Sequence, residues 1–160
     1  MLWVLGYAAK AQEVRWDTCK FMTYNVLNFD NTGNDKEQYL FEVVDSMHPD
    51  ILIVQELIEL SGAIRFFDSV VYKVDTNYAM GTFINSFDTD NGIYFRKDKF
   101  AFITNIPITT ELRDINEFQL KHIASGEEIY FYSLHLKASS GGTNADQRKR
   151  EVDSLRKVTD

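Results

Sequence analysis

The hydrophobic positions along this chain change their period several times, and each change marks an element. From Lys20 to Phe29 the segment KFMTYNVLNF is rich in β-branched and aromatic residues and runs into the polar stretch Asp30 to Asp35 around Gly33. A strand followed by a loop is predicted there. Tyr39, Leu40, Val43, Val44 and Met47 then recur at i, i+1, i+4, i+5 and i+8, with Lys36, Glu37, Glu42 and Asp45 among them. This spacing puts the apolar groups on one face of a helix, which Pro49 ends. Ile51 to Val54 is an unbroken apolar run, the pattern of a strand covered on both faces, and its carboxyl end carries Gln55 and Glu56.

A second helix is predicted over Ile58 to Val71, with Ile64, Phe67 and Val71 as apolar contacts. Tyr72 to Asn85 and Gly92 to Ile106 read as short strands, separated by the turn residues Ser86, Asp88, Asp90, Asn91 and Gly92; Arg113 to His122 and Glu128 to Leu136 continue the pattern. In the last of these, Ile129, Phe131, Ser133 and His135 share one face, opposite Tyr130, Tyr132, Leu134 and Leu136. After the small-residue loop Ser139 to Thr143, Asn144 is expected to cap a helix with Asp146 in its first turn and Val152, Leu155 and Val158 as its apolar stripe. No repeat and no linker-like break in composition interrupts this order.

Composition narrows the reading. The 160 residues, 44% of them hydrophobic, suit one globular domain with its own core. Two prolines and eight glycines exclude a fibrous or low-complexity chain. The single Cys19 excludes an internal disulfide and a cysteine-based zinc cluster. With 17 Lys and Arg against 24 Asp and Glu, the net charge of −7 argues against non-specific coating of nucleic acid. A local basic groove stays open: Lys137, Arg148, Lys149, Arg150, Arg156 and Lys157 cluster in the last segment, although such a run on a helix is usually a solvated face. At the other end LWVLGYAA, followed by Ala9, Lys10 and Ala11, fits a signal peptide, a first element of the fold, or a disordered end. Residues 1–11 are read as a signal-peptide remnant, which makes the expected location secreted or periplasmic, with cytoplasmic as the alternative. The run is far shorter than the 20 or so apolar residues of a membrane span.

The chain has no GxxxxGK[ST], GxGxxG, HExxH or GxSxG segment, so nucleotide-loop, Rossmann, zincin and serine-hydrolase chemistries have no support. Asp88 to Gly92 resembles a calcium loop, but placing Gly92 at that loop's sixth position puts Phe87 where the first carboxylate belongs, so a turn is expected. What remains are polar residues where strands run or end: Asn25, Glu56 and His135. Each alone has a structural explanation, as a backbone partner, a solvated strand end or a satisfied core histidine.

Together, with their surroundings, these residues resemble the endonuclease/exonuclease/phosphatase superfamily, the metal-dependent phosphoesterases with the fold of deoxyribonuclease I. The carrying segments are FMTYNVLNF (21–29), PDILIVQEL (49–57), NGIYFRKDKF (91–100), YFYSLHLKA (130–138) and NADQRKREV (144–152), in the family's order. The resemblance covers nearly all of residues 20–160. It implies an α+β fold, the deoxyribonuclease I-like four-layer α/β/β/α sandwich, incomplete in its second sheet. It also implies that Glu56 is the principal ligand of a divalent cation (Mg2+ or Mn2+), that Asn25 supports the metal site, and that His135 contacts the phosphate or assists the leaving group. By the same resemblance Asn144 and Arg148 order the loop and helix beside the site, and Arg96 is a candidate phosphate contact. The implied partner is a phosphoester, DNA or RNA first and small phosphoesters next, with no membrane span and no defined protein partner.

The residue types suit that chemistry. A hard cation on a carboxylate neutralises phosphoryl charge, histidine gives a proton or hydrogen bond, and asparagine fixes a ligand without adding charge. The sequence departs from the family where a GDFN-like segment and a terminal Asp-His pair would follow; neither occurs in these 160 residues. The chain is therefore expected to be the amino-terminal part of a longer phosphoesterase. Taken alone it is expected to be inactive, because the general base and half of the phosphate clamp are missing. The alternative is a fragment or non-catalytic binding module that keeps part of the fold.

Overall fold

The computed structural model describes residues 17–33 and 35–160, so the reading of residues 1–11 lies outside the described residues. Two sheets carry the fold. In sheet A, β1 (Phe21–Phe29) pairs in parallel with β2 (Ile51–Leu57), which pairs antiparallel with β4 (Asp90–Arg96), and β3 (Tyr78–Met80) closes the far edge in the order β1-β2-β4-β3. In sheet B, β5 (Phe100–Ile108), β6 (Ile115–His122) and β7 (Glu128–Ser133) form an antiparallel meander.

The unbroken run of β2 divides its side chains between two cores. Leu52 and Val54 join Tyr94 of β4 and the helical layer, while Ile51 and Ile53 join Ile93 and Phe95 against Phe100, Phe118 and Leu120 of sheet B. A strand buried on both faces has no place for polar groups until it reaches an end, and Gln55 and Glu56 stand at that end. The helical layer is α1 (Lys36–Met47) with α2 (Glu59–Phe66), which continues through a π-helical turn (Phe67–Val71) into the short α3 (Tyr72–Val74). Helix therefore extends past the predicted end at Val71, and Tyr72 starts no strand. The arrangement is the α+β architecture expected, with helices, sheet A and sheet B stacked in sequence.

Helix α2 is held tightly to the end of β1. A Cβ built on Gly62 would lie 2.8 Å from the Phe29 carbonyl oxygen and 3.2 Å from the Asp30 Cα. Alanine is worth about 1 kcal/mol more than glycine inside a helix, but here the obstacle is backbone, which yields at higher cost. Gly62→Ala is expected to destabilise the domain by about 1–2 kcal/mol net, measured by urea unfolding. A more stable Gly62→Ala protein would contradict this packing.

Two further corrections concern the loops. Asp90, Asn91 and Gly92 are buried strand residues, so the turn is confined to the residues before Asp90, where the Ser86 hydroxyl and amide both donate to the Asp90 carboxylate. Helix α4 (Gly142–Thr159) starts ahead of Asn144; Gly141 is its cap residue, and the Asn144 side-chain amide donates back to the Ser140 carbonyl instead. Between the sheets Asn91 donates to Asn116, which donates to Asn105, which donates to the Thr82 carbonyl, a buried ladder that links β4 to β5 and β6. Among the described residues no helix is long and apolar enough to cross a membrane.

Candidate active site

The site forms where both ladders around β2 come apart. The β1–β2 register shifts between Asn25 and Phe29, and the β2–β4 register shifts between Val54 and Leu57, so Glu56 lies in an irregularity on both sides. Its backbone is left-handed (φ 63°), as are those of Leu27 (54°) and Asn28 (50°). Residues with a Cβ adopt this region at a cost of order 1 kcal/mol each, so the surrounding contacts must hold it. They are present. Asn25 Nδ2 donates to Glu56 Oε1 at 2.8 Å, the Asn28 amide donates to Oε2 at 3.0 Å, and Asn25 Oδ1 accepts from the Leu27 amide at 2.9 Å. The carboxylate is thus oriented by one bond on each oxygen, with a lone pair on each still open.

His135 arrives from the opposite sheet, its Nε2 3.4 Å from Glu56 Oε1. Strand β7 ends at Ser133, so His135 lies beyond the sheet rather than within a strand running to Leu136, the end that the alternation predicted. Gln55 ties the sheets together beneath it, donating to Thr23 Oγ1 at 2.9 Å and to Ser133 Oγ at 3.2 Å. Burial pushes the His135 imidazole below the ordinary histidine range, and the Arg113 guanidinium pushes it the same way against the Glu56 carboxylate. The ring is therefore neutral near pH 7. Its Nδ1 is buried without a hydrogen-bond partner, so Nε2, the nitrogen 3.4 Å from Glu56, is the one that faces the site.

A pH dependence follows with a definite sign. The unfolded chain takes up a proton on this histidine near its ordinary value of 6.5, before the folded one does. The His135 contribution to stability is thus whole above that pH and is lost as pH falls from it toward the lowered folded value. NMR titration of the metal-free protein is expected to place His135 below 6.5, and Arg113→Ala to move it up. An unshifted His135 would contradict the burial.

Two charged residues at the site, Arg113 and Glu151, are not among those the sequence singles out. Arg113 forms an ion pair with Asp88 at 2.6 Å, donates to Thr89 Oγ1 at 3.1 Å and reaches the His135 carbonyl at 3.4 Å. The pattern predicts a strand from Arg113, but β6 begins at Ile115 and Arg113 stands in the connection before it. Glu151 is buried on α4 (2% exposed), and a signal did exist: it stands at i relative to Leu155 and Val158 at i+4 and i+7, a carboxylate on the apolar stripe.

The structure brings together Asn25, Glu56 and His135. Arg148 lies one step out, its Nη1 donating to the carbonyls of Lys137 and Ser139, both at 2.9 Å. Arg96 is not brought there: it ends β4 at the opposite end of sheet A from Glu56, paired with Asp75 at 2.9 Å and Asp98 at 3.1 Å. Asn144 makes only its bond to Ser140 among the side-chain bonds of the described residues. Among the described residues no group of three or more His, Cys, Asp or Glu forms a metal cage, so a cation here would rest on one carboxylate, supplemented by amide, water and phosphate oxygens. That donor set suits Mg2+ or Mn2+, which keep several waters and bind through few carboxylates.

No family model and no curated protein matches the sequence. Solved structures do. The chain is similar to zebrafish (D. rerio) TDP2 complexed with a single-strand DNA product, with 23% identity over 88% of this chain and 52% of that one, at a TM-score of 0.63. It is similar to a Bacteroides thetaiotaomicron mannosyl-6-phosphatase, with 15% identity, 89% and 60% coverage and a TM-score of 0.62. An endonuclease/exonuclease/phosphatase family protein of the same bacterium gives 16%, 88%, 56% and 0.60. Two stacked sheets under a helical layer are the deoxyribonuclease I-like class of fold. The fold is that of the endonuclease/exonuclease/phosphatase superfamily, as the sequence segments implied, and the chain spans about half the length of the structures it matches.

Proposed function

We propose that this chain carries the cation-binding and phosphate-contacting part of a metal-dependent phosphoesterase site. The observation that carries the reading is the convergence of Asn25, Glu56 and His135 on the doubly shifted end of β2, where strained backbone is held by hydrogen bonds to a single carboxylate. Glu56 would hold a divalent cation, with Asn25 fixing the carboxylate and leaving the metal-facing lone pairs free. When bound, that cation supplies Lewis-acid neutralisation of phosphoryl charge. The chain's own groups do the rest. His135 would present Nε2 to the phosphate; an anionic phosphate beside it offsets the burial that lowers the ring's basicity, so Nε2 can take a proton and, once protonated, donate it to a phosphate or leaving-group oxygen.

A phosphodiester of DNA or RNA is the first substrate class and small phosphoesters the second. The structures of similar fold include one bound to a DNA product and one named as a sugar phosphatase, and both classes present the same anionic phosphoryl group. Part of the basic run is already engaged: Arg150 pairs with Glu111, Arg156 lies 3.4 Å from Asp160, and Arg148 is turned onto backbone carbonyls. A second reading, a non-catalytic module that binds the cation or the phosphate, is favoured by the single carboxylate at the site. Turnover of a nitrophenyl phosphodiester and monoester by the purified 160-residue chain, with and without Mg2+, separates them. Metal-dependent turnover supports the enzyme, and metal binding without turnover supports the module.

A further inference from the structure

Segment 134–139 has left sheet B, so its backbone groups lack ladder partners, and a half-buried backbone without partners is costly. Charged side chains take the place of a strand. The His135 carbonyl accepts from Arg113, and the carbonyls of Lys137 and Ser139 accept from Arg148. The Lys137 amide donates to Glu151 Oε2 at 2.9 Å. Glu151 is itself fixed, since Gln147 Nε2 donates to its other oxygen at 3.2 Å. The Lys137 peptide is thereby gripped from both sides by residues one helical turn apart on α4, and Ser139 beyond it is left-handed (φ 77°).

We propose that Glu151 is a positioning residue for the site: its buried carboxylate replaces the missing sheet partner of the Lys137 amide and so fixes the segment that presents His135 to Glu56. The inference rests on the phosphoesterase reading for its purpose and on the hydrogen bonds alone for its geometry. A carboxylate on the apolar stripe of α4 is poor core material, because burying it costs free energy unless each oxygen finds a donor. Here both do. What matters is reach, since the side chain must span from the helix to the Lys137 amide.

Two conservative variants separate reach from charge and from packing. Glu151→Asp keeps the charge but is one methylene too short; Glu151→Gln keeps the reach and an acceptor oxygen but loses the charge. Amide exchange and His135 ring resonances are read by NMR on the 160-residue protein, together with the Kd for inorganic phosphate in Mg2+. In Glu151→Asp the Lys137 amide is expected to exchange at least about tenfold faster while core amides hold their rates, the His135 ring signals move, and phosphate binds about tenfold more weakly. Glu151→Gln, with the Gln147 amide turned to accept, is expected to match the wild type in Lys137 exchange and phosphate binding and to move the His135 signals less than Glu151→Asp does. Wild-type Lys137 exchange and His135 signals in Glu151→Asp would overturn the proposal, as would faster exchange spread evenly over the domain, which marks lost packing only. Absence of phosphate binding in the wild type would refute the phosphoesterase reading, while Lys137 exchange and the His135 signals would still decide the role of Glu151.

Discussion

Glu56→Ala is expected to lower metal-dependent phosphoester hydrolysis by about 10²–10³-fold in any length of the chain that turns over, and a chelator to give the same loss. The size follows from what the carboxylate does. On the proposed reading it is the acidic ligand at the end of β2, and its two oxygens also anchor Asn25 and the Asn28 amide. On that reading its removal takes away the cation's charge-bearing ligand, and it leaves the left-handed Asn28 without the acceptor of its amide. Glu56→Gln keeps the shape and the acceptor for Asn25 or Asn28 but not the negative charge. It should therefore fold as the wild type does and still lose turnover. Steady-state kinetics beside thermal unfolding checks both halves, and a Glu56→Ala protein of unchanged rate would refute the role.

The largest effect on stability is expected at Phe66. Its ring is fully buried, meets Phe29 edge-on at 5.5 Å and lies 5.3 Å from Tyr94, so it joins α2 to the end of β1 and to β4. Phe66→Ala is expected to cost about 3–5 kcal/mol, from lost burial and the cavity left behind. Against a typical total of about 5–15 kcal/mol, that is a large share. The site should suffer with it, because Phe29 closes the irregular stretch of β1 that holds Asn25 and Asn28 against Glu56. Chemical denaturation gives the number. A cost below about 1 kcal/mol would show that α2 is not what braces the strand end.

The parts of the fold legible in the sequence were those governed by periodicity. The double-faced run of β2 and the alternation of Ile129 and Phe131 on β7 follow from which side chains must leave water, whereas on the predicted apolar face of α1 Leu40 and Val44 are buried but Tyr39 and Met47 stay exposed. The structure brings Asn25, Glu56 and His135 together, but that these three would be of interest was legible only through the resemblance of the segments around them. Boundaries and far contacts were not. Strand β7 ends at Ser133 because the chain must turn out of the sheet to bring His135 to Glu56, and alternation alone carries no such information. Helix α4 begins before Asn144 because Gly141, at a left-handed φ of 104°, can open it without a side-chain cap. Arg96 was a candidate phosphate contact through the resemblance of its segment alone, but Asp75 and Asp98 bind it at the other end of the sheet.

Arg113 and Glu151 show why charged residues near a site are hard to recognise. Their task is to satisfy backbone carbonyls and amides of the His135 segment, and which backbone groups lack partners is known only once the sheet is assembled.

The claim at the centre of this account, that the end of β2 is a divalent-cation site, is tested most directly by adding Mn2+ to the isotopically labelled 160-residue protein and recording which NMR signals broaden. The expected result is broadening centred on Asn25, Asn28, Glu56 and His135, displaced by excess Mg2+ and absent in Glu56→Gln. Broadening centred elsewhere, or the same pattern in Glu56→Gln, would contradict it.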